Sequence, residues 1–378
     1  MRIGIDGRLL EKLVSGIPRY AQAITAELLK KPGEFSILTA HGVYESIYKS
    51  TPNITAIHAH RQWPKSQILR ELLFQAHTAR WLQKSKIDLI WSPNHRLPVL
   101  IPKEVARVIT IHDLAWHFVP ETMKPLNRVR DQVFVRQLIK RSDIVVAVSE
   151  STAHAISDVF PEGRERIRIV YEGVTQLPRP QDPSALAPLG INQPYLLAVG
   201  TIEPRKNYER LLTAFSKVDR SIRGRTQLVF VGADGWGSVD LPSLVKSLGL
   251  ESDVILVGHV DDHTLATLYE NALSLMMPSL YEGFGLPIIE AMSFGTPVLT
   301  SDNSSMPEIA GPGGLLINPH SSDSIAEGIK TLFDTELLQA LSDQARVRAK
   351  YFTWERTATQ LWDIFHEARE LAAVRIRG

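Results

Sequence analysis

The chain has 378 residues, 44% of them hydrophobic, with a formal charge of +1, so it suits two globular domains rather than one. No stretch reaches the roughly 18 consecutive apolar residues of a membrane-spanning helix. Zero cysteines exclude disulfides and cysteine-ligated metal sites, and with no secretory signal at Met1 to Asp6 a cytoplasmic location is expected.

Short apolar runs alternate with amphipathic stretches along the first half. Ile3 to Ile5, Phe35 to Leu38, Ile54 to Ile57, Ile87 to Trp91, Arg107 to Ile111, Ile144 to Val148 and Ile167 to Tyr171 read as strands. Helical patterns such as Ile17 to Leu29 and Gln67 to Leu82 lie between them. The second half repeats the scheme with Tyr195 to Val199, Leu228 to Val231, Val254 to Val257, Leu273 to Met277, Pro297 to Thr300 and Leu315 to Ile317. Such alternation predicts an α/β protein of two doubly wound, Rossmann-like domains, whose strand ends face each other across a cleft. Three prolines between Gln176 and Ser184 break both periodicities and mark a linker. The domains are therefore expected at 1–175 and 185–354, with a long terminal helix over about 355–378.

Net charge conceals an asymmetry. Residues 1–175 hold 25 Lys and Arg against 17 Asp and Glu, while residues 176–378 hold 17 against 24, so the first half is the one that suits an anionic partner. The excess concentrates in Arg61 to Lys86, interleaved with Trp63, Leu69, Leu72, Leu73, Phe74 and Trp81, and in Lys124 to Arg141, around Val129, Val133, Phe134, Val135, Leu138 and Ile139. Basic amphipathic helices of this kind suit an anionic membrane surface, and equally well a pair of ordinary helices facing the core. Nucleic acid is not expected, because the isoelectric point is only about 8.0.

Four stretches carry chemistry. After the first strand, Ser15-Gly16 precedes Pro18, which suits a helix start, and Gly16 would let a phosphate approach the backbone. Ile109-Thr-Ile-His112-Asp113 ends a strand and offers a histidine at a carboxyl end; Asp113 either orients it or caps the next segment. Upstream, Asn94 ends another strand. Glu203-Pro-Arg205-Lys206-Asn207 comes after the first strand of the second half and sets two cations side by side, which is costly to bury unless an anion meets them. Finally, Glu282-Gly283-Phe284-Gly285-Leu286-Pro287-Ile-Ile-Glu290 comes after an apolar run. Pro287 suits the first residue of a helix, Glu290 falls in its first turn, and unpaired amides at the helix start offer a site for phosphate or sugar hydroxyls.

Glu282 and Glu290, eight positions apart across Gly283 and Gly285, match the Glu-x7-Glu motif. On these residues the chain resembles the retaining GT-B glycosyltransferases of family 4, in the branch of bacterial GDP-mannose-dependent mannosyltransferases that build O-antigen and other surface polysaccharides. The resemblance implies that the terminal helix returns to the first domain. It implies a nucleotide-sugar donor, with mannose from GDP-mannose moved to a lipid-linked or polysaccharide acceptor at the inner face of the membrane. By the same resemblance His112 supports the donor sugar, Arg205 and Lys206 neutralise the leaving diphosphate, and Glu282 meets sugar hydroxyls with the amides of Phe284, Gly285 and Leu286. Glu290 accepts from the ribose hydroxyls, Gly16 approaches the diphosphate where many members have two adjacent glycines, and Val231, His259 and Val260 lie near the base. No cofactor is expected, and no metal-binding pattern is seen. Alternatives are transfer from GDP-rhamnose or a UDP-hexose, a nucleotide-sugar epimerase, and a non-catalytic assembly subunit. A nicotinamide oxidoreductase is poorer, because Gly283-x-Gly285-x-x-Ile288 lacks the third glycine.

Overall fold

The computed structural model describes residues 1–10, 16–39, 54–59, 67–98, 100–123, 125–237 and 239–377. Ser15 and Trp63 lie outside them, as do the side chains of Leu69, Leu72, Phe74, Val129 and Val133. The chain divides into two units. The first holds Met1–Leu114, Arg130–Gly173 and Thr353–Gly378, and the second holds Ala115–Val129 and Val174–Phe352.

In the first unit the described strands are β1 (Arg2–Asp6), β2 (Glu34–Thr39), β3 (Ile54–Ala59), β4 (Leu89–Ser92), β5 (Ala106–Ile111), β6 (Ile144–Ala147) and β7 (Ile167–Ile169). They form one sheet in the order β3-β2-β1-β4-β5-β6-β7, and every neighbouring pair is parallel. A parallel sheet is covered on both faces, so its strands must be apolar at consecutive positions rather than at alternate ones. Ile144, Val145, Val146 and Ala147 accordingly have no exposed surface at all. The terminal helix Trp354–Arg377 belongs to this unit. It sets Trp362 against Phe35 and Phe365 against Trp91, with ring centroids 6.3 and 5.9 Å apart.

The second unit contains β8 (Tyr195–Val199), β9 (Gln227–Val231), β10 (Val254–Gly258), β11 (Ser274–Met277), β12 (Val298–Ser301) and β13 (Gly314–Ile317). The order β10-β9-β8-β11-β12-β13 is again parallel throughout. In each sheet the strand order reverses once, between β1 and β4 and between β8 and β11, and a doubly wound sheet opens its ligand crevice at that reversal.

Two details bear on the sequence expectations. The segment Ala115–Val129 groups with the second unit, where the Phe118 ring stacks on Tyr281 at 5.4 Å and 10°. Its apolar side chains Ala115, Val119 and Met123 pack with Tyr281 and Leu280, which outweighs its position in the chain. The basic helices also bury part of the face proposed for a membrane. Trp81 is 4% exposed and closes on Gly4, and Val135, Leu138 and Ile139 are buried, whereas Leu73 and Phe134 are exposed. Among the described residues no helix is long and apolar enough to cross a membrane.

Candidate active site

At the reversal of the second sheet, two loops meet. The loop after β8 carries Glu203, Arg205 and Lys206, and the loop after β11 carries Glu282. Lys206 Nζ lies 2.7 Å from Glu282 Oε1, and Arg205 Nη1 lies 2.5 Å from Oε2. Arg205 Nη2 donates to Glu203 at 2.7 Å, and Nη1 also donates to the Tyr281 carbonyl at 2.8 Å. Lys206 and Glu282 are only 8% and 7% exposed, so a lone charge on either would be expensive. The anions that meet these cations are therefore the chain's own Glu282, shared by both, and Glu203 on Arg205, rather than a ligand alone. Burial opposes ionisation of Glu282, yet the charges of Arg205 and Lys206 overcome it and hold the carboxyl down at about 2. Lys206 has three donors, and among the described residues only Glu282 takes one, leaving two for an incoming anion.

Side chains distant in sequence fix the backbone of both loops. Asn207, in the left-handed conformation at φ 60°, donates from Nδ2 to the carbonyls of Pro278 and Pro319 at 2.9 and 2.8 Å. Ser304 Oγ accepts from the Glu282 amide at 3.1 Å, and Ser305 Oγ reaches the carbonyls of Glu282 and Phe284 at 3.0 and 2.9 Å. Asn303 Nδ2 donates to Leu280 O at 3.0 Å. Gly285 caps the helix Leu286–Ser293 at φ 100°, a conformation that excludes most side chains. Pro287 is the second residue of that helix, not the first, and has no N–H. Ile288 donates back to Gly285 O at 2.9 Å, which leaves the Leu286 amide as a helix-end donor without an intrahelical acceptor.

Glu290 sits in the second turn of the helix rather than the first, because the helix begins at Leu286. Its carboxylate is 4% exposed and accepts from the Tyr269 hydroxyl at 3.0 Å. Val231 ends β9 beside Gly232, whose added Cβ would lie 2.1 Å from the Gly200 carbonyl, so two strand ends approach here as only glycine allows. His259 is exposed and Val260 half-buried just beyond β10.

The remaining assigned residues belong to the first unit. His112 comes just after β5 and is buried at 6% exposure. Its Nδ1 lies 3.1 Å from Glu172 Oε1 and its Nε2 lies 2.9 Å from the Pro93 carbonyl. Glu172, rather than Asp113, is thus the acid that orients the ring. The Tyr20 ring meets His112 edge-on at 4.7 Å. Asn94, after β4, is 8% exposed and accepts from Ser92 Oγ at 3.0 Å. Gly16 is exposed at the start of the helix Gly16–Leu28, and an added Cβ there would meet nothing described within 4 Å.

Sequence reasoning missed Glu172, Tyr269 and the Asn303-Ser304-Ser305 run, and gave no separate role to Asn207. Only Glu172 carries a local signal, as an acid immediately after the last strand of the first half. Among the described residues no group of three or more His, Asp or Glu is placed to hold a metal ion. Positive charge in the loops around Glu282 comes from Arg205 and Lys206.

Residues 14–175 match the model of Glycosyltransferase Family 4, and residues 186–348 match that of Glycosyl transferases group 1. The chain is 32% identical over 288 residues to O-antigen chain mannosyltransferase B of Escherichia coli, covering 74% of each chain. It shares the fold of sucrose-phosphate synthase from Thermosynechococcus elongatus, with TM-score 0.77 and 21% identity over 97% of this chain and 98% of that one. It also resembles Anabaena Alr3699/HepE, solved in complex with UDP and glucose, at TM-score 0.75 and 19% identity over 96% and 98% of the two chains. Two reversing parallel sheets, two matched halves and that identity over most of both chains lead to one conclusion: the protein is a group 1 glycosyltransferase of family 4, with the GT-B fold.

Proposed function

We propose that the protein is a retaining, nucleotide-sugar-dependent transferase that moves mannose from GDP-mannose onto a lipid-linked or polysaccharide acceptor. The observation that carries this reading is the buried Arg205–Glu282–Lys206 cluster, which keeps cationic donors in reserve at the sheet reversal. Mannose is supported by the E. coli relative, an O-antigen chain mannosyltransferase.

As the bond between the anomeric carbon and the diphosphate breaks, negative charge grows on the leaving oxygen. Arg205 and Lys206 stabilise that charge without reorganising, because Glu282 already fixes them. Glu282 holds sugar hydroxyls with its remaining acceptor capacity, alongside the amides of Gly283, Phe284, Gly285 and Leu286. Glu290, oriented by Tyr269, accepts from the ribose hydroxyls. The base rests near Val231, His259 and Val260. Within the first unit, taken by itself, Gly16 is assigned to a phosphate, His112 to a sugar and Asn94 to the acceptor. The acceptor hydroxyl forms the new bond on the face that the diphosphate leaves, and the departing phosphate takes its proton. The first unit's positive balance and the exposed Leu73 and Phe134 support peripheral contact with an anionic membrane.

The test is a thermal-shift panel of GDP, UDP and ADP. A ligand stabilises in proportion to the logarithm of its excess over Kd, so GDP should raise Tm most. Preference for UDP would instead favour a UDP-hexose donor, a second reading supported by the UDP and glucose bound to the Anabaena protein. Incubation with GDP-mannose alone should leave the sugar unaltered; its conversion to another sugar would indicate an epimerase.

A further inference from the structure

Glu172 has a 4% exposed side chain, and among the described residues His112 is its one bonding partner. A carboxylate so buried needs a positive partner, and no described lysine or arginine is paired with it. The His112 ring has acceptors at both nitrogens, since a carbonyl oxygen cannot donate and Pro93 O faces Nε2 at 2.9 Å. A neutral imidazole has one N–H and would leave one of these contacts without a proton. Imidazole is in general the stronger base of the two side-chain types, which favours the proton on the histidine nitrogen. The groups facing the ring agree. Glu172 approaches from beyond β7, Asp113 is the next residue, and Tyr20 presents its ring while its hydroxyl lies 3.4 Å from Thr110. Burial alone would lower the His112 pKa, but the Glu172 hydrogen bond and charge, the Pro93 carbonyl and Asp113 raise it on balance.

We propose that Glu172 is a positioning residue that keeps His112 doubly protonated, making the pair a charged clamp across the carboxyl ends of β4, β5 and β7. The clamp fixes the Pro93 carbonyl and with it the Ser92-Pro93-Asn94 turn. Ser92 donates to Asn94 Oδ1 at 3.0 Å, and among the described residues the Asn94 amide nitrogen has no partner, which leaves its N–H groups for an acceptor. When His112 loses its second proton, one of the two contacts fails and the turn is released. The alkaline limb of sugar transfer then belongs to this pair rather than to a proton-transferring base. This consequence rests on the placement of His112 and Asn94 beside donor and acceptor.

The experiment combines side-chain 15N NMR of the histidines with the pH profile of kcat/KM, on wild type, Glu172→Gln, Glu172→Asp and His112→Asn, the last identifying the His112 signals. In wild type both His112 nitrogens should report imidazolium at pH 7. Glu172→Gln should lower the titration midpoint by about one unit or more and move the alkaline limb by the same amount. Glu172→Asp should recover part of both shifts. A neutral His112 in wild type at pH 7, or a midpoint unmoved in both Glu172 variants, would overturn the clamp. If Glu172→Gln does not fold, the wild-type spectrum and Glu172→Asp still decide. Full transfer activity in His112→Asn would instead overturn the placement of His112 in the site, while the titration would stand, so the two failures are separable.

Discussion

Replacing Glu282 by glutamine removes one charge and almost no volume, which isolates the electrostatics of the cluster. Arg205 and Lys206 hold the Glu282 carboxyl down from 4.5 to about 2 despite its burial. At about 1.4 kcal/mol per tenfold change in proton affinity, this corresponds to ~3 kcal/mol of folding stability at neutral pH. The sign is that of a depressed carboxylate pKa: the stability is present above the ordinary value and is lost as pH falls toward 2. Glu282→Gln should therefore cost ~3 kcal/mol at pH 7, and the gap to wild type should shrink to about half of that by pH 3. Urea denaturation of both proteins across that range measures it. The same substitution leaves Lys206 without its internal anion and Arg205 with Glu203 alone, so nucleoside diphosphate should bind at least tenfold more tightly while transfer falls by about a hundredfold or more. Equal stability of the two proteins at pH 7, or a gap that does not change with pH, would refute this account of the cluster.

Tyr269→Phe deletes the hydroxyl that donates to Glu290 at 3.0 Å. It should raise the donor KM about tenfold with kcat little changed, since a buried bond to a carboxylate is worth about 1.5–3 kcal/mol. Ser305→Ala frees the carbonyls of Glu282 and Phe284, and should cost about 1 kcal/mol in denaturant titrations and slow transfer several-fold. Transfer should survive EDTA, because Arg205 and Lys206 already supply the positive charge that a divalent ion would bring; complete loss restored by magnesium would contradict that.

Most of the described strands were legible because burial on both faces of a parallel sheet leaves a continuous apolar signature, as in Ile144 to Ala147. The loop from Glu282 to Glu290 was legible too, since Gly285 and Pro287 reveal their backbone roles locally. What escaped depends on contacts far along the chain. Tyr269 and Glu290 are 21 residues apart, and Glu172 meets His112 across 60. Lys206 meets Glu282 across 76, so a doublet that looked in need of a ligand already had its anion. Trp81 shows the converse limit. Its basic neighbours suited a membrane and a core equally, and the space above Gly4 receives its ring. Periodicity says that a face is apolar and leaves open what covers it.

The most direct measurement of the central claim tracks the anomeric carbon. Purified protein is given GDP-mannose labelled at that carbon together with a mannose-bearing acceptor, and the product is examined by NMR alongside the appearance of GDP. The account predicts acceptor-dependent release of GDP and a new linkage in the α configuration of the donor. A β-linked product, or GDP released equally without acceptor, would contradict it.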